Sequence, residues 1–438
     1  MRTFEVKIEL DGVMLLTGRI ACESSGEARF TYDRDYLERG DSAPISASLP
    51  LQEGPFSAQA TKNFFDGLLP EGFTRRAVAN WMHVDETDYL GLLYGLGQEC
   101  LGAIQITDGS MPENPSYEKL SVEQVRQLAR EGAAKSAQII AKSHLSLTGA
   151  SGKAGLYYDG QRDAWYLPVG SAPSTHIVKQ SHVRLNGIVT NEQLSMMTAQ
   201  ALGIDVPRSF IVNMGTAVEE DVLFAVQRYD RIFSGEGETI DGLPRPRRLH
   251  QEDFAQALGI AAADKYETIR EAYPGYGRRK NGESYLSRMF GLLRRCSANP
   301  LEDQVKLWRL LIFDYLIGNT DSHIKNFSLL YGADLRTVRL APAYDVVSTT
   351  IYEESTRNMA LQIGGEQSID RITESSFKAA AEEAGLGGRM AMRCFEELCG
   401  QFEQALAQAA DQLAQEGFDG AREIQERILQ TGGAGMIL

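Results

Sequence analysis

Apolar and polar residues alternate along three short stretches near the amino terminus, which predicts β-strands there. The stretches are residues 6–12, 13–21 and 28–33, and a period of two places one face of each strand against a core. A Pro- and Ser-rich segment follows, and it reads as irregular surface structure. Residues 61–82 then predict helices that are interrupted at Gly67 and Pro70, since neither residue continues a helix well.

The middle of the chain predicts mainly strands. The candidate strands are residues 145–149, 153–159, 164–169, 175–180, 210–215 and 222–231. A polar connecting helix is predicted at 121–132, and a second helix at 191–203 places Leu194, Met197 and Ala201 on one face. Thr190 as N-cap and Gln193 three residues later predict a capping box for that second helix.

After Gln251 the pattern becomes helical. Near the carboxyl terminus, apolar residues recur at spacings of three and four, which predicts a buried helical stripe. The stripe consists of Phe395, Leu398, Phe402, Leu406, Ala409 and Leu413. At 438 residues the chain exceeds the size at which one hydrophobic core usually stops growing, so we expect two or three subdomains.

Composition and charge exclude several classes of protein. The net charge of −15 argues against broad, sequence-independent binding of nucleic acid, which needs an excess of Lys and Arg. Two small basic clusters read as solvated loops: Arg245, Arg247 and Arg248, and Arg278, Arg279 and Lys280. The five cysteines form no C-x-x-C pair, the amino terminus lacks a signal-peptide block, and the run at 310–318 is too short to cross a bilayer. We therefore expect a cytoplasmic protein with free thiols and no membrane partner.

The most informative stretch reads FDYLIGNTDSHIKNF, from Phe313 to Phe327. Asp321 follows an apolar run, Asn326 comes five positions later, and after nineteen more residues the run VRLAPAYD ends at Asp345. Protein kinases use this order: the first Asp accepts the proton of the substrate hydroxyl, while the Asn and the later Asp hold Mg2+ against the phosphates of ATP. A helix C-cap followed by a polar turn would give a similar sequence. The location of Asp321 and Asn326 before two strand-like runs nevertheless favours phosphoryl transfer.

Two further parts of a kinase have candidates. Lys179 lies in a strand-like run, where a lysine of the small lobe contacts the α- and β-phosphates, and Glu192 at the start of the next helix is a candidate ion-pair partner. The run SLTGASGKAG, residues 146–155, has three glycines between predicted strands, and glycines let backbone N–H groups approach phosphate. It is not a Walker A loop, because position 147 is Leu and position 154 is Ala. A plain hairpin turn remains an alternative for this run.

A strand-rich half followed by a helical half is the arrangement of a two-lobed kinase. We therefore predict an α+β, bilobed, protein-kinase-like fold with an all-helical carboxyl-terminal lobe. An extra amino-terminal subdomain would occupy 1–110, the small lobe with the glycine-rich loop 111–250, and the large lobe with the catalytic loop 251–438.

Stretches along nearly the whole chain resemble the HipA family of serine/threonine kinases, the toxins of bacterial toxin–antitoxin pairs. These stretches are SASLPL, FFDGLLPE, GQECLGAIQI, SLTGASGK, STHIVK, FAVQRYDR, RLHQEDFAQALGI, NTDSHIKNFSLLY and LAPAYDVVST. The combination of NTDSHIKNFS with LAPAYD is highly specific, because several polar identities coincide at fixed spacing. The resemblance implies transfer of the γ-phosphoryl group of ATP to a Ser or Thr hydroxyl, with Asp321 as base and Asn326 and Asp345 as Mg2+ ligands.

The resemblance also implies a set of nucleotide contacts, with Gln227 and Tyr229 at the adenine side. The full set is Lys179, Gly149, Ala150, Ser151, Gly152, Lys153, Gln227, Tyr229, His323, Lys325 and Asp345. From the residues alone, His323 reads as a structural or orienting group, since the six histidines form no ligand set. Family members phosphorylate a loop serine, and the corresponding residue is Ser146. The chain departs from the family at Ser151–Gly152, which makes Ser151 a second candidate, and at Gln227, where an acid is usual.

The resemblance further implies a HipB-like helix-turn-helix antitoxin that binds toxin and operator DNA together, so that DNA contact passes through the antitoxin complex. It implies a protein substrate of the aminoacyl-tRNA synthetase class, glutamyl-tRNA synthetase in the best-known relatives, whose modification halts charging, arrests growth and leads to persistence. One alternative is a kinase-shaped, non-catalytic scaffold or co-repressor that binds an antitoxin and operator DNA. Another is a small-molecule kinase. The presence of Asp321, Asn326, Asp345 and Lys179 favours an active protein kinase.

Overall fold

The structure, a computed structural model, describes most of the chain. The described residues are 2–22, 25–109, 114–130, 153–180, 185–215, 221–233, 237–267 and 283–437. The chain divides into two compact units. The first consists of Met1–Gln180, Val212–Ala262 and Leu329–Val338, and the second of Ser181–Ile211, Ala263–Ser328 and Arg339–Leu438. The predicted three-part division at 110 and 250 stays a prediction.

The first unit begins with a four-stranded sheet. Its strands are β1 (Arg2–Leu10), β2 (Val13–Cys22), β3 (Arg29–Tyr32) and β4 (Ile104–Thr107), in the order β3-β2-β1-β4. Asp11 and Gly12, both with positive φ, connect β1 to β2, as a tight hairpin requires. The helices here are α1 (Arg34–Leu37), α2 (Ala58–Phe65), α3 (Gly72–Met82) and α4 (Tyr89–Leu96). The three predicted amino-terminal strands are confirmed, and so is the interruption between α2 and α3.

A six-stranded sheet follows. Its strands are β5 (Ser116–Lys119), β6 (Lys153–Asp159), β7 (Ala164–Val169), β8 (His176–Gln180), β9 (Ser209–Asn213) and β10 (Val222–Gln227), in the order β5-β7-β6-β8-β10-β9. Helix α5 covers residues 122–130. The strands predicted for the middle of the chain are confirmed, apart from 145–149, which lies outside the described residues. β6 and β10 both pair antiparallel with β8, so β8 is an interior strand of this sheet.

Short elements complete the first unit. They are β11 (Arg231–Ile232), β12 (Thr239–Ile240), β13 (Leu243–Pro244), β14 (Arg247–Arg248), β15 (Gln251–Asp253) and α7 (Phe254–Ala257). β15 joins a three-stranded sheet with β16 (Ser328–Tyr331) and β17 (Val338–Leu340). After β10 the short strands therefore form two separate pairs, β11 with β14 and β12 with β13, and one three-stranded sheet.

A buried ionic network lies in the first unit. It contains three carboxylates and three guanidinium groups, all at most 4% exposed: Glu9, Glu99, Asp230, Arg228, Arg231 and Arg248. Arg248 donates to Glu9 at 2.9 Å and to Glu99 at 2.6 Å, which joins β1 and the loop after α4 to β14. The prediction of a solvated basic loop is therefore wrong for Arg248, because these two acids from earlier in the chain cover it. Arg278, Arg279 and Lys280 lie outside the described residues.

The second unit is mainly helical. Its helices are α6 (Ile188–Ala201), α8 (Tyr285–Cys296), α9 (Pro300–Ile317), α10 (Glu374–Glu383), α11 (Gly388–Gln415), α12 (Gly420–Thr431) and α13 (Ala434–Ile437). It also contains the strand pair β18 (Asn358–Ile363) and β19 (Glu366–Ser368), so the expectation that the carboxyl-terminal lobe is all-helical is wrong on this point. All six residues of the predicted apolar stripe are buried on α11, so that prediction is confirmed.

The predicted capping box of α6 is wrong. The helix begins at Ile188, and its N-cap is Gly187 in a left-handed conformation with no side-chain cap. Thr190 and Gln193 are instead buried within the helix. Packing of the first turn therefore overrides the local capping signal.

In the parts of the chain that the structure describes, no helix is both long enough and apolar enough to cross a membrane. All five cysteines are free thiols, as the sequence predicts.

Candidate active site

Helix α9 delivers the chain to the predicted catalytic loop. Its residues from Leu310 to Ile317 are all buried, which anchors its carboxyl-terminal half in the core of the second unit. Gly318 ends the helix with φ of 72°, and a Cβ at this position would collide with Thr350 Oγ1. Only glycine combines this left-handed conformation with such close packing. The chain therefore leaves the helix in one defined direction, towards Asp321.

Asp321 is exposed to solvent in the loop that follows. The hydroxyl of Tyr266 donates to Asp321 Oδ1 at 2.6 Å. Asn326 Nδ2 donates to the main-chain oxygen of Asp321 at 3.0 Å, and His323 N donates to the same oxygen at 2.8 Å. Because the amide nitrogen of Asn326 is held in this way, its Oδ1 is the atom it offers as a ligand. The loop thus presents a carboxylate and an amide oxygen in a fixed relation.

Asp314, on helix α9, accepts hydrogen bonds from two residues of the catalytic loop. It is 2% exposed on α9, and Ser322 Oγ and Asn319 Nδ2 donate to its carboxylate at 2.5 and 2.9 Å. These two donors flank Asp321 in sequence. Burial raises the pKa of the Asp314 carboxyl to about 7, although the two hydrogen bonds oppose the rise.

Asp345 is brought to the same loop. It has φ of 53°, a left-handed conformation that is uncommon for a residue other than glycine. Asn319 Nδ2, which bonds Asp314, also makes a long hydrogen bond of 3.5 Å to the main-chain oxygen of Asp345. Asn319 therefore connects Asp314, on helix α9, to the backbone of Asp345. Backbone strain of this kind concentrates where function fixes a side chain.

The side chains near Asp345 suit a hard cation. Asn326 and Asp345 offer an amide oxygen and a carboxylate, and Mg2+ is bound by a few such oxygens together with substrate phosphates. Within the described residues, no group of three or more His, Cys, Asp and Glu side chains is placed to hold a metal ion. A Mg2+ here would thus depend on the phosphates for much of its coordination.

His323 and Lys325 lie within the loop and are both buried. The His323 ring packs edge-on against Tyr266, with ring centroids 5.2 Å apart. The main-chain oxygen of Lys325 accepts a hydrogen bond of 2.8 Å from the Tyr344 hydroxyl. These contacts support the orienting role expected for His323, since the ring positions the tyrosine that contacts Asp321.

The first unit holds the candidate cations. Lys153 on β6 is directly opposite Lys179 on β8, which is itself opposite Phe224 on β10. Lys179 Nζ lies 5.6 Å from the centre of the Phe224 ring, and Lys153 is 7% exposed. Directly opposed residues of antiparallel strands share one face, and like charges there repel. Both lysines therefore lie on the same face of the sheet.

The ionic network also fixes the segment after β10. Arg228 donates to Asp230 at 2.9 Å and to Glu99 at 3.3 Å, and all three are buried. Gln227 and Tyr229 on either side of Arg228 are half-buried, and the Tyr229 hydroxyl donates to Gln251. Because buried and half-buried residues alternate along this segment, Gln227 and Tyr229 are less buried than the charged residues beside them.

Comparison with known proteins identifies the family. A family model described as the HipA-like C-terminal domain matches residues 145–406. The chain belongs to the HipA family. The HipA N-terminal domain model matches residues 12–107, so the amino-terminal subdomain is part of the same resemblance.

Two relatives of this HipA family member illustrate its class. "Putative kinase Y4mE" of Sinorhizobium fredii is 31% identical over 424 residues, covering 93% of this chain and 92% of the relative. "Serine/threonine-protein kinase toxin HipA" of Shewanella oneidensis is 26% identical over 410 residues, covering 93% and 89%. The predicted enzyme class, a serine/threonine-protein kinase, is therefore confirmed.

A solved structure confirms the fold. The Shewanella oneidensis HipA, in a complex with HipB and operator DNA, superposes with a TM-score of 0.77 at 23% identity. The match covers 99% of this chain and 97% of that chain. The predicted kinase-like α+β fold is thus confirmed for this HipA family member.

The structure places the predicted site residues unevenly. It gathers Asp321, Asn326 and Asp345 in the second unit, where Glu192 also lies buried on α6, while Lys153 and Lys179 lie on the sheet of the first unit. The proposed pairing of Lys179 with Glu192 stays a prediction. Five predicted site residues of the glycine-rich loop lie outside the described residues: Ser146, Gly149, Ala150, Ser151 and Gly152.

Sequence reasoning missed three residues of the site. Asp314, Tyr266 and Asn319 were not predicted as parts of the site. An acid in the middle of an otherwise apolar helical run is a usable signal, because a buried carboxylate needs specific donors. Nothing in the local pattern marks Tyr266, which lies 55 residues before its partner Asp321.

Proposed function

We propose that this HipA family member transfers the γ-phosphoryl group of ATP to a Ser or Thr hydroxyl of a protein. Asp321 accepts the hydroxyl proton, and Asn326 and Asp345 hold Mg2+. The observation that carries the proposal is the hydrogen-bonded set in which Asn326 contacts Asp321 and Asn319 contacts both Asp314 and Asp345. Phosphoryl transfer needs positioned charges more than covalent chemistry from the protein, and this set supplies them.

The chain's own groups have separate tasks in this scheme. Tyr266 holds one oxygen of Asp321, so that the other oxygen faces the substrate hydroxyl. Mg2+, when bound, neutralises negative charge on the phosphates. We assign Lys179 and Lys153 to phosphate contacts, since the two residues are directly opposite one another on neighbouring strands of the small-lobe sheet. Gln227 and Tyr229 are assigned to the adenine side, and Ser146, with Ser151 as the alternative, to self-phosphorylation.

Labelled ATP and Mg2+ provide the test of this assignment. The wild type is expected to label itself, whereas Asp321→Asn loses about two or more powers of ten in rate, as expected for removal of a catalytic base. Asp411→Asn, an exposed position on α11, is the matched control and should label like the wild type. Equal labelling in Asp321→Asn and the control would rule out Asp321 as the base.

We further propose a HipB-like antitoxin partner. This rests on the Shewanella oneidensis structure, in which HipA is complexed with HipB and operator DNA. The net charge of −15 makes direct DNA contact unfavourable, so operator DNA would be reached through the antitoxin. An aminoacyl-tRNA synthetase, with glutamyl-tRNA synthetase first, is the proposed protein target, and the cytoplasm the proposed location.

A non-catalytic scaffold is the second candidate, favoured by the same complex. Calorimetric titration separates the two: a kinase binds Mg-ATP in its unphosphorylated form, whereas a scaffold gives no heat with Mg-ATP and still binds the antitoxin. Transfer of phosphate to an alcohol or an aminoglycoside, and not to protein, would instead indicate a small-molecule kinase.

A further inference from the structure

A polar cleft is lined only by residues of the second unit, from α6, from the first three residues of β9 and from the end of α11. Its volume is about 440 Å³, within the range of small-molecule sites. Four glutamines, one glutamate and one aromatic ring dominate its wall: Gln193, Gln200, Gln408, Gln412, Glu416 and Phe210. None of these residues belongs to the set assigned to phosphoryl transfer.

Helical periodicity explains why the polar residues converge. Gln408, Gln412 and Glu416 follow one another at intervals of four, so they form one stripe on α11. Gln193 and Gln200, with Met197 between them, form the facing stripe on α6. Exposed glutamines on one helix are ordinarily solvated, but two stripes that line one cleft place amide groups on both of its sides.

Gln193 separates this cleft from an ordinary surface groove. The side chain is 6% exposed, and its Nε2 donates to the main-chain oxygen of Ser209 at 3.4 Å. The other polar atom of this amide, Oε1, is buried and has no hydrogen-bond partner among the described residues. A buried acceptor without a donor is unfavourable, so rotation of this side chain that brings Oε1 to an N–H group of a ligand in the cleft is favoured.

The electrostatics of the cleft favour a cation. Glu416 caps the carboxyl end of α11, a helix of 28 residues, where unpaired carbonyls add partial negative charge. Gln412 Nε2 donates to Glu416 Oε1 at 3.1 Å, which keeps the carboxylate at the cleft wall. Among the described residues that line the cleft, none is basic.

We propose that this cleft binds a guanidinium group. A guanidinium has five N–H donors in a plane, which suits several separated acceptors better than a compact ammonium group does. Glu416 and the oxygen of Gln193 supply acceptors, and the Phe210 ring supplies a face on which the planar cation stacks. The group comes either from a free small molecule or from an arginine side chain of a protein.

Calorimetric titration of the full chain with agmatine tests the proposal. The wild type is expected to bind, and Gln193→Met, which keeps the length and removes the oxygen, should weaken binding by about 5-fold or more. Glu416→Gln should weaken it by about 3-fold or more, while Glu403→Gln, the same charge change at an exposed position of α11 outside the lining residues, should bind like the wild type. Thermal melts of all three variants establish that they are folded.

Two further titrations identify the source of the guanidinium group and test whether the guanidinium itself is required. An arginine-containing pentapeptide that binds more tightly than agmatine, with the same response to Gln193→Met, indicates a protein side chain; equal or weaker binding indicates a free small molecule. Putrescine, which lacks the guanidinium, should bind at least several-fold more weakly than agmatine. Absence of binding by both guanidinium probes, equal binding of putrescine, or no effect of Gln193→Met would overturn the proposal.

Discussion

At the scale of single residues, one buried acid controls the candidate catalytic loop. Asp314 contacts Ser322, next to Asp321, and Asn319, which reaches Asp345. Both partners donate hydrogen bonds to residue 314, so this position requires a side chain with two acceptor oxygens. Asp314 is therefore a positioning residue, which acts on the reaction through the loop and does not touch the substrate.

Replacing Asp314 with Asn tests this role. The amide offers one acceptor and one N–H, so one donor of the loop loses its partner. We expect kcat for self-phosphorylation or peptide phosphorylation to fall about 10-fold or more, with KM for ATP changed little, because a 1 Å displacement of reacting groups is costly. Steady-state kinetics measure both values. A rise in KM at unchanged kcat would show that Asp314 serves nucleotide binding instead.

At the scale of elements, the ionic network joins parts of the first unit that are distant in sequence. Glu9 comes from β1, Glu99 from the loop after α4, and Arg248 from β14. The three carboxylates balance the three guanidinium groups, and every member is buried. Buried charges are tolerated only when they are paired, so removal of one member is far more harmful than removal of an exposed ion pair.

Arg248→Met should destabilise the first unit by about 3–5 kcal/mol, since it leaves Glu9 and Glu99 with less compensating charge. Arg247→Met is a control one residue away, because Arg247 pairs with the exposed Asp11, and it should cost at most about 1 kcal/mol. Denaturant unfolding compares the two variants. Similar losses for both would mean that the network adds no more than a surface pair.

At the scale of the whole molecule, stability should respond to pH through a second buried acid. Glu252 accepts from Ser46 Oγ at 2.5 Å, from Ala47 N at 2.9 Å and from the Tyr331 hydroxyl. It thereby holds together three segments of the first unit. Burial nevertheless raises the pKa of Glu252 from 4.5 to about 7.

The folded state therefore holds the Glu252 proton more tightly than the unfolded state does. Its contribution to stability is fully present below pH 4.5 and is lost as the pH rises to about 7, which amounts to roughly 3 kcal/mol. The unfolding free energy of the wild type minus that of Glu252→Gln should fall by this amount between pH 4.5 and 7.5. Chemical denaturation across that range measures it, and a pH-independent difference would contradict the shift.

The local sequence pattern predicted which segments form helices and strands better than it predicted which distant residues contact them. The alternation at 153–180 and the stripe on α11 are confirmed, because a strand or helix with one buried face leaves its period in the sequence. The capping box at Thr190 failed, and Arg248 was taken for a solvated residue, because both outcomes depend on segments far away in the chain. The strand pair β18 and β19 was missed, since two short strands carry little periodicity.

The sequence by itself determined the family, the kinase class and the three residues proposed for phosphoryl transfer, because these depend on residue identities at fixed spacing. The tertiary structure alone decided that Asn319 connects Asp314 to the backbone of Asp345, that Tyr266 contacts Asp321, and that Gln193 lines a cleft with an unpartnered oxygen. The reason is physical: hydrogen bonds and burial join residues that are 26 to more than 200 positions apart, and no local pattern records which of them will meet.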